Sequence, residues 1–488
     1  MVSYVLGIDL GTTSVKAVLI DSESRSIVRQ SSLQHWADME HLHEGFHEQN
    51  PFKILNCATT VLSDLLDEQN SKPITRIAVC GQMHGVVLWN SKAAGNDWLH
   101  ETAASKLPNE RISSLITWMD GRCSPEFLAS LPKSAVSLHS GYGCAALFWL
   151  HLNGMLNQNW DCAATIQDLL VTLLCQLEKP LVTPQNAASW GYFDLVNSVW
   201  EIEQLRAAGF PVHLLPAITQ VGWSTGSLAA DWCQLNKSAQ VLSAVGDLQA
   251  TVYPLLKPNT AILNIGTSAQ LCFAVAACQS EEVRCETVDL FPYLGNQQLA
   301  VAASLNGGNV LSFFVKTLIA WTEQLTGEGI SEVVVWEKLT VLMKKPSSNS
   351  ELVIQPTLYG ERHAPCLQAS VSRISQNSLC SLDNKYCAYV KRIDRCIFTF
   401  QTTLVVAHAI CAGLVQNLNS MMSTDVLHRH GITDVLLVGQ AANEWFTPAI
   451  SSLYASKFKL QEAEIEQNAA YGVGLMVIDM IDTVRNMN

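Results

Sequence analysis

Short continuous apolar runs and longer stretches with helical spacing take turns along this chain. Val5-Leu-Gly-Ile8 and Val15-Lys-Ala-Val-Leu-Ile20 read as two strands of a β-hairpin closed by Gly11-Thr12-Thr13-Ser14. Pro51 to Asp67 repeats its apolar positions at helical spacing, with Asn50 placed as N-cap before Pro51. Ile74 to Cys80 is a buried-strand run that ends in Gly81-Gln82-Met83-His84-Gly85. The pattern predicts an amphipathic helix over Thr165 to Cys175, a short strand over Val241 to Val245 ending at Gly246-Asp247, and a helix from Leu248 onward. Strands alternating with helices predict an α/β architecture.

Pro254-Leu-Leu-Lys-Pro258 interrupts the pattern, which places a domain boundary there: residues 1–256 and 257–488. The second half repeats the logic of the first. Strands are expected at Ala261 to Ile265 and Leu299 to Ala303, and a helix after Asn306-Gly307-Gly308-Asn309. A long helix around Ala407 to Met421 precedes a strand at Asp434 to Val438, and a last helix starts near Asn468. Residues 381–404 fit no period and read as an insertion.

The repeat carries chemistry. Leu6-Gly-Ile-Asp-Leu-Gly-Thr-Thr-Ser14 returns as Leu263-Asn-Ile-Gly-Thr-Ser268. An apolar strand running into glycine and hydroxyls makes a tight turn whose N–H groups can face a phosphate. Two such turns predict two related lobes gripping one polyphosphate. Asp9 ends the first strand, where a carboxylate can hold Mg²⁺ through water; the matching Asn264 is neutral. Asp247, at a strand end before a helix, suits either a helix N-cap or a general base that accepts the proton of an attacking hydroxyl.

Composition sharpens this picture. The chain has 488 residues, 48% hydrophobic and 15% charged, so core material is ample for more than one domain. A net charge of −13 argues against general binding to nucleic acid or to an anionic membrane. No secretory leader pattern opens the chain, and no apolar run is expected to span a bilayer. The 15 cysteines are scattered without a C-x-x-C pair, and are expected as buried thiols in a reducing, cytoplasmic setting.

Gln82, Met83 and His84 in their Gly-flanked turn, and Trp118-Met-Asp120-Gly-Arg122, combine amides, charges and an aromatic face. That mixture suits a polyhydroxylated ligand. The plainer alternatives are a core histidine, a core tryptophan and a surface Asp120–Arg122 pair. Gln185-Asn186-Ala-Ala-Ser-Trp190-Gly-Tyr192 is a weaker version of the same mixture. Gly439-Gln-Ala-Ala-Asn443, after an apolar strand, could admit a purine ring or be an ordinary connection.

Taken together these residues resemble the FGGY family of carbohydrate kinases, over nearly the whole chain. Gly7 to Lys16 matches the family's first phosphate loop and Asn264 to Ser268 its second. Gly81-Gln-Met-His-Gly85 and Trp118-x-Asp-Gly-Arg122 are similar to sugar-site motifs of its ketose kinases. Further matching stretches are Asn186 to Phe193, Ala302 to Val310 and Gly360-Glu-Arg-His363.

The resemblance implies two ribonuclease-H-like, actin-like domains with the active site in the cleft between them. The N-terminal domain is expected to bind sugar and the C-terminal domain nucleotide. The implied reaction transfers the γ-phosphate of ATP, with Mg²⁺, to a sugar hydroxyl. The resemblance casts Asp247 as catalytic base, Asp9 as metal ligand, and Gln82, Met83, His84, Trp118, Asp120 and Arg122 as sugar contacts. It places the nucleotide at Gly11, Thr12, Thr13, Lys16, Gly266, Thr267, Ser268, Gly307, Gly439 and Asn443. A monomer or homodimer is expected, with sugar and ATP as its small-molecule partners. The family's adenosine-loop glycines are thinned here to Gly439-Gln-Ala-Ala-Asn443, which keeps a catalytically weak sugar-binding regulator in view. A kinase of the same family acting on another ketose is the runner-up reading, and an actin-like ATPase acting on a protein partner is the last.

Overall fold

The computed structural model describes residues 3–66, 73–101, 110–344, 351–374, 400–463 and 468–487. The chain divides into two compact units, each described by itself. The first comprises Met1–Leu255, Leu290–Leu299 and Gln467–Asn488, and the second Leu256–Asp289 and Ala300–Glu466.

The first unit is built on a seven-stranded mixed sheet. Its centre is β1 (Tyr4–Leu10), every residue of which is buried. β2 (Ser14–Asp21) and β3 (Ile27–Gln34) continue from it as an antiparallel meander. On its other side β4 (Ile74–Gly81) runs parallel to it. A strand with parallel neighbours and both faces covered needs the unbroken apolar run that Tyr4–Leu10 supplies.

α1 (Pro51–Leu65) packs below β2 and β3. Asn50 Oδ1 caps it, accepting from Phe52 N at 3.0 Å and Lys53 N at 3.4 Å, with Pro51 at the first helical position. α2 (Ile166–Cys175) differs from the amphipathic expectation. Every residue from Ile166 to Leu174 is buried, polar ones included. Asp168, capped by the Thr165 hydroxyl at 2.6 Å and flanked by Asn186, shows how its polar face is satisfied inside the protein. α3 (Pro184–Ala188) lies against the strand end at Val245–Gly246.

The strand expected over Val241 to Val245 is split. β5 (Gln240–Leu242) and β6 (Val245–Gly246) both run parallel to β4, with Ser243 and Ala244 between them. α4 (Asp247–Val252) follows at once.

The second unit repeats the plan. In its six-stranded sheet β7 (Thr260–Ile265) and β8 (Ala269–Ala276) form the antiparallel hairpin. β9 (Asp289–Pro292) and β10 (Gln297–Ser304) continue this sheet beyond β8; their Leu290–Leu299 part is counted with the first unit. β11 (Asp434–Gly439) runs parallel to β7, and β12 (Lys459–Glu462) parallel to β11. α5 (Gly308–Thr326) follows β10, and α6 (Phe400–Met421) packs over the sheet.

α7 (Ala469–Met487) was expected with the second half; it packs instead on β1, β4 and α4 of the first unit. The fit depends on a small surface, because a Cβ at Gly7 would run into the carbonyl of Ala470.

One helix segment departs from the expectation that no run could span a bilayer. Thr403–Met421, in α6, is long and apolar enough by length and composition. More than half of it is buried inside the protein, where Val405, Ile410, Leu414 and Leu418 serve the core. The cysteines among the described residues are all unpaired, and seven of the twelve are buried. Of the apparent insertion, residues 381–399 lie outside the described residues, and 400–404 open α6.

Candidate active site

The acidic chemistry of the first unit lies on three adjacent strands. Asp9 of β1 stands in register with Lys16 of β2 and Cys80 of β4, and Cys80 with Val245 of β6. Asp247, the first residue of α4, follows two positions later; the N-cap is Gly246. In α/β sheets ligands collect at the carboxyl ends of strands, which is where these carboxyl groups stand.

Their electrostatics couple them. Burial pushes Asp9 up to about 6, while the Lys16 charge and the Cys80 thiol hydrogen bond pull it down. Burial pushes Asp247 up to about 7, the negative charge of Asp9 adds to the rise, and its bond from Leu248 N opposes it. Cys80 is held well above the usual thiol range by burial and by both carboxylates. Two acids whose titrations influence one another, each near neutrality, are suited to proton transfer.

The Gly11–Ser14 turn beside them is fixed by side chains. Gly11 N donates to Ser14 O at 3.0 Å, closing the turn. Trp118 Nε1 donates to Thr12 Oγ1 at 2.9 Å, Gln49 Nε2 to Thr12 O at 2.7 Å, and His35 Nε2 to Gly11 O at 3.2 Å. Thr13 remains exposed.

Gln82 is buried and donates from Nε2 to Gln49 Oε1 at 3.0 Å, which links it to Thr12; its own Oε1 has no partner. Both polar atoms of the buried Gln185 and Gln249 amides are likewise unpartnered. Buried amides in that state call for a polar occupant, either water or ligand hydroxyls. Met83 is buried beside them, its sulfur against Gly246.

His84 adopts φ 73°, donates from Nδ1 to Ser189 O at 2.9 Å and stacks on Tyr142 with ring centroids 4.3 Å apart. With Nδ1 committed to a carbonyl, the neutral ring keeps its lone pair on Nε2.

Asp120 and Arg122 are not a surface pair. Both are buried, with Arg122 Nε 2.8 Å from Asp120 Oδ1 and Nη2 2.6 Å from Glu48 Oε1. Asp120 Oδ2 also accepts from His47 N at 2.8 Å, and the guanidinium lies 4.3 Å from the Phe46 ring centroid. Most of the polar atoms of this pair are therefore spent on protein, in a clamp two residues from Trp118.

In the second unit Gly266 N donates to Ser268 O at 2.8 Å, forming the second turn. The start of α5 holds it: Gly308 N donates to Gly266 O at 2.8 Å and Asn309 N to Thr267 O at 3.1 Å. A Cβ at Gly307 would lie 2.6 Å from Ser268 O, so only glycine allows that approach. Gly266 and Thr267 are exposed, and the N–H groups that open α5 lie next to them. Gly439 has φ +60°, and a Cβ there would meet Ile265 O at 2.7 Å. Gln440 points to solvent, while Asn443 closes its own turn, with Asn443 N donating to Gln440 O at 2.9 Å.

Sequence reasoning missed Gln49, Ser189, Tyr142 and Cys80. Tyr142 and Ser189 are brought to His84 by chain folding alone. Cys80 was legible, because a strand partner of Asp9 on the same face must lie beside it.

Residues 4–253 match the N-terminal domain of the FGGY family of carbohydrate kinases. The chain is 40% identical over 452 residues to human sedoheptulokinase and 39% identical over 451 residues to the mouse enzyme, covering 89% of each partner in both alignments. Among solved structures, a gluconate kinase from Lactobacillus acidophilus superposes with a TM-score of 0.73 at 17% identity, covering 99% of this chain and 90% of that one. The chain belongs to the FGGY family of carbohydrate kinases. It is an α/β enzyme of two ribonuclease-H-like domains that uses ATP.

Proposed function

We propose that this enzyme phosphorylates sedoheptulose on its terminal hydroxyl, giving sedoheptulose 7-phosphate and so feeding the pentose phosphate pathway. The substrate is proposed from the two sedoheptulokinases that match 89% of the chain. The observation that carries the chemistry is the placement of Asp9 and Asp247 at the ends of neighbouring strands around Cys80, where burial pushes them up to about 6 and about 7.

In this reading Asp247 accepts the proton of the attacking hydroxyl as its oxygen bonds to the γ-phosphorus and ADP leaves. A base near neutrality is deprotonated often enough at physiological pH and still basic enough to assist. Gln82, His84 and the Trp118 ring face the sugar. Asp120 and Arg122, held in their clamp with Glu48, border the same sugar site. Gly11, Thr12 and Thr13 on one turn, with Lys16 behind it, and Gly266, Thr267, Ser268 and Gly307 on the other serve the phosphates. Gly439 and Asn443 shape the nucleoside end.

Asp9 suits Mg²⁺, which favours one or two carboxylates and water, since among the described residues its only hydrogen bond is the long Cys80 contact at 3.8 Å. Bound there, Mg²⁺ would offset charge on the transferring phosphate.

The test is ADP release from ATP with sedoheptulose, with and without Mg²⁺, beside a panel of shorter ketoses. Sugar-dependent, Mg²⁺-dependent turnover with the highest kcat/KM for sedoheptulose is expected. A higher kcat/KM for a shorter ketose would reassign the substrate, and sugar-independent hydrolysis would remove the kinase mechanism.

A further inference from the structure

Behind the Gly266–Ser268 turn, in the same unit, Glu361 is fully buried. Its carboxylate collects four hydrogen bonds, all from neutral donors. Ser304 Oγ, Asn417 Nδ2 and Asn306 Nδ2 donate to Oε1 at 2.6, 2.7 and 3.0 Å, and Leu305 N donates to Oε2 at 3.0 Å. Three of these donors belong to one short turn, Ser304 to Gly307, which joins β10 to α5. The fourth, Asn417, anchors the carboxylate to α6. The turn is bound to the Glu361 segment a second time, because Asn306 Nδ2 donates to Gly360 O at 2.8 Å and Asn306 Oδ1 accepts from Tyr359 N at 3.1 Å.

A carboxylate is costly to bury and is kept only where its acceptors are used. Here they are used on the backbone that leads into the phosphate turn. The residues immediately after the clamp are those that hold the turn, through Gly308 N to Gly266 O at 2.8 Å and Asn309 N to Thr267 O at 3.1 Å. The chain of contacts runs without a gap from Glu361 through Leu305 and Asn306 to Gly308 and Gly266.

We propose that Glu361 is a positioning residue for nucleotide binding: it fixes the Ser304–Gly307 turn, and through it the Gly266–Ser268 loop and the first N–H groups of α5. It touches no reacting atom. The proposal rests on the reading that this loop holds nucleotide phosphates.

Glu361→Gln is the sharpest variant because it keeps the shape and swaps one acceptor for a donor. Whichever way the amide turns, an N–H faces another N–H or a hydroxyl already committed. In the full-length enzyme the dissociation constant for ADP and the KM for ATP are expected to rise about tenfold, with the KM for sedoheptulose within about twofold of wild type. Asn417→Ala removes the α6 donor to Glu361, which also reaches Ser304 Oγ at 3.2 Å, and is expected to weaken ADP by about threefold, again leaving the sugar unaffected.

Unchanged ADP affinity in both variants overturns the proposal. So does a parallel loss of ADP and sugar affinity with a lowered Tm, the signature of a merely structural role. If Glu361→Gln does not fold, Asn417→Ala decides alone. Thr267→Val separates the two levels. If it weakens ADP while Glu361→Gln does not, the loop reading stands and the proposal falls; if neither variant weakens ADP, both fall.

Discussion

The two glycine–hydroxyl hairpins share a backbone plan and differ in charge. β1–β2 and β7–β8 are both antiparallel, and each has a parallel strand, β4 or β11, beside its first member. Two residues before the turn glycine the first hairpin carries Asp9 and the second Asn264. Across the ladder stand Lys16 and Gln270 respectively. Opposite charges face one another across the ladder in one unit, and two neutral amides do so in the other. Their turns are also held differently: the first by side chains of Trp118, Gln49 and His35 together with His35 N donating to Thr13 O at 3.2 Å, the second by backbone N–H groups of α5. The comparison teaches that one backbone device serves two tasks. In the proposed function the first hairpin handles protons and a cation, and the second presents uncharged donors to an anion.

The comparison breaks most severely if the acidic pair is not what distinguishes the first unit. Asp247→Asn should leave a folded, sugar-binding protein whose kcat is lower by about 10³-fold, within the usual range for lost general-base assistance. Near-native kcat in steady-state assays would show that the carboxylates beside the first hairpin are structural.

Next in size is Asp9→Asn, which makes the first hairpin resemble the second. A fall in kcat of about 10²-fold is expected. The pH profile carries more information. In the wild type, kcat/KM should rise with pH through an acidic limb near 7, a value belonging to the coupled pair. Removing the negative charge of Asp9 favours ionised Asp247, so residual activity should show its limb at lower pH. Burial, the larger cause, stays, so the limb should remain above the ordinary carboxylate value of 3.8.

The same shifts fix a stability trend. Both folded-state values exceed 3.8, so the ligand-free fold binds more protons than the unfolded chain between about 4 and 7. These two groups therefore make stability fall as pH rises through that window, and Asp9→Asn should flatten the fall in thermal scans.

How much of this was legible depended on whether the signal was local. The hairpins, the Asn50 cap and the strand before Gly81 were readable because apolar runs, glycines and caps act on their own neighbourhood. The role of Asp247 was not, since a cap and a base look alike in one dimension; the fold gives the cap to Gly246. Asp120 and Arg122 read as sugar contacts, with a surface pair as the plainer alternative, because nothing near them announces Phe46 or Glu48, which reach them through chain folding. The Ile166–Leu174 helix read as amphipathic because Gln167, Asp168 and Thr172 are polar, yet distant partners such as Asn186 let them be buried. The clamp at Glu361 was likewise invisible, since its donors come from Ser304 to Asn306 and from Asn417.

Asn264→Asp reverses the exchange by giving the second hairpin the charge of the first. A carboxylate beside the phosphate turn repels the nucleotide, and the KM for ATP should rise roughly tenfold at low salt while the KM for sugar holds. An unchanged KM for ATP would mean that the neutral residue is incidental. The paired charge pattern would then be no guide to which hairpin meets phosphate.

The smallest expected effect tests the difference in how the turns are held. Trp118→Phe keeps an aromatic face and removes only the indole N–H that donates to Thr12 Oγ1 at 2.9 Å. Thr267, the counterpart of Thr12, has no hydroxyl partner among the described residues, and its turn stands on backbone bonds instead. If the first turn needs its side-chain support, losing one neutral hydrogen bond should lower kcat by about fivefold, because Thr12 is freed to sample orientations that do not serve the phosphate. The KM for sugar should change less, since the ring face is retained. A larger rise in that KM than fall in kcat would assign Trp118 chiefly to the sugar, and would leave Gln49 and His35 as sufficient support for the first turn.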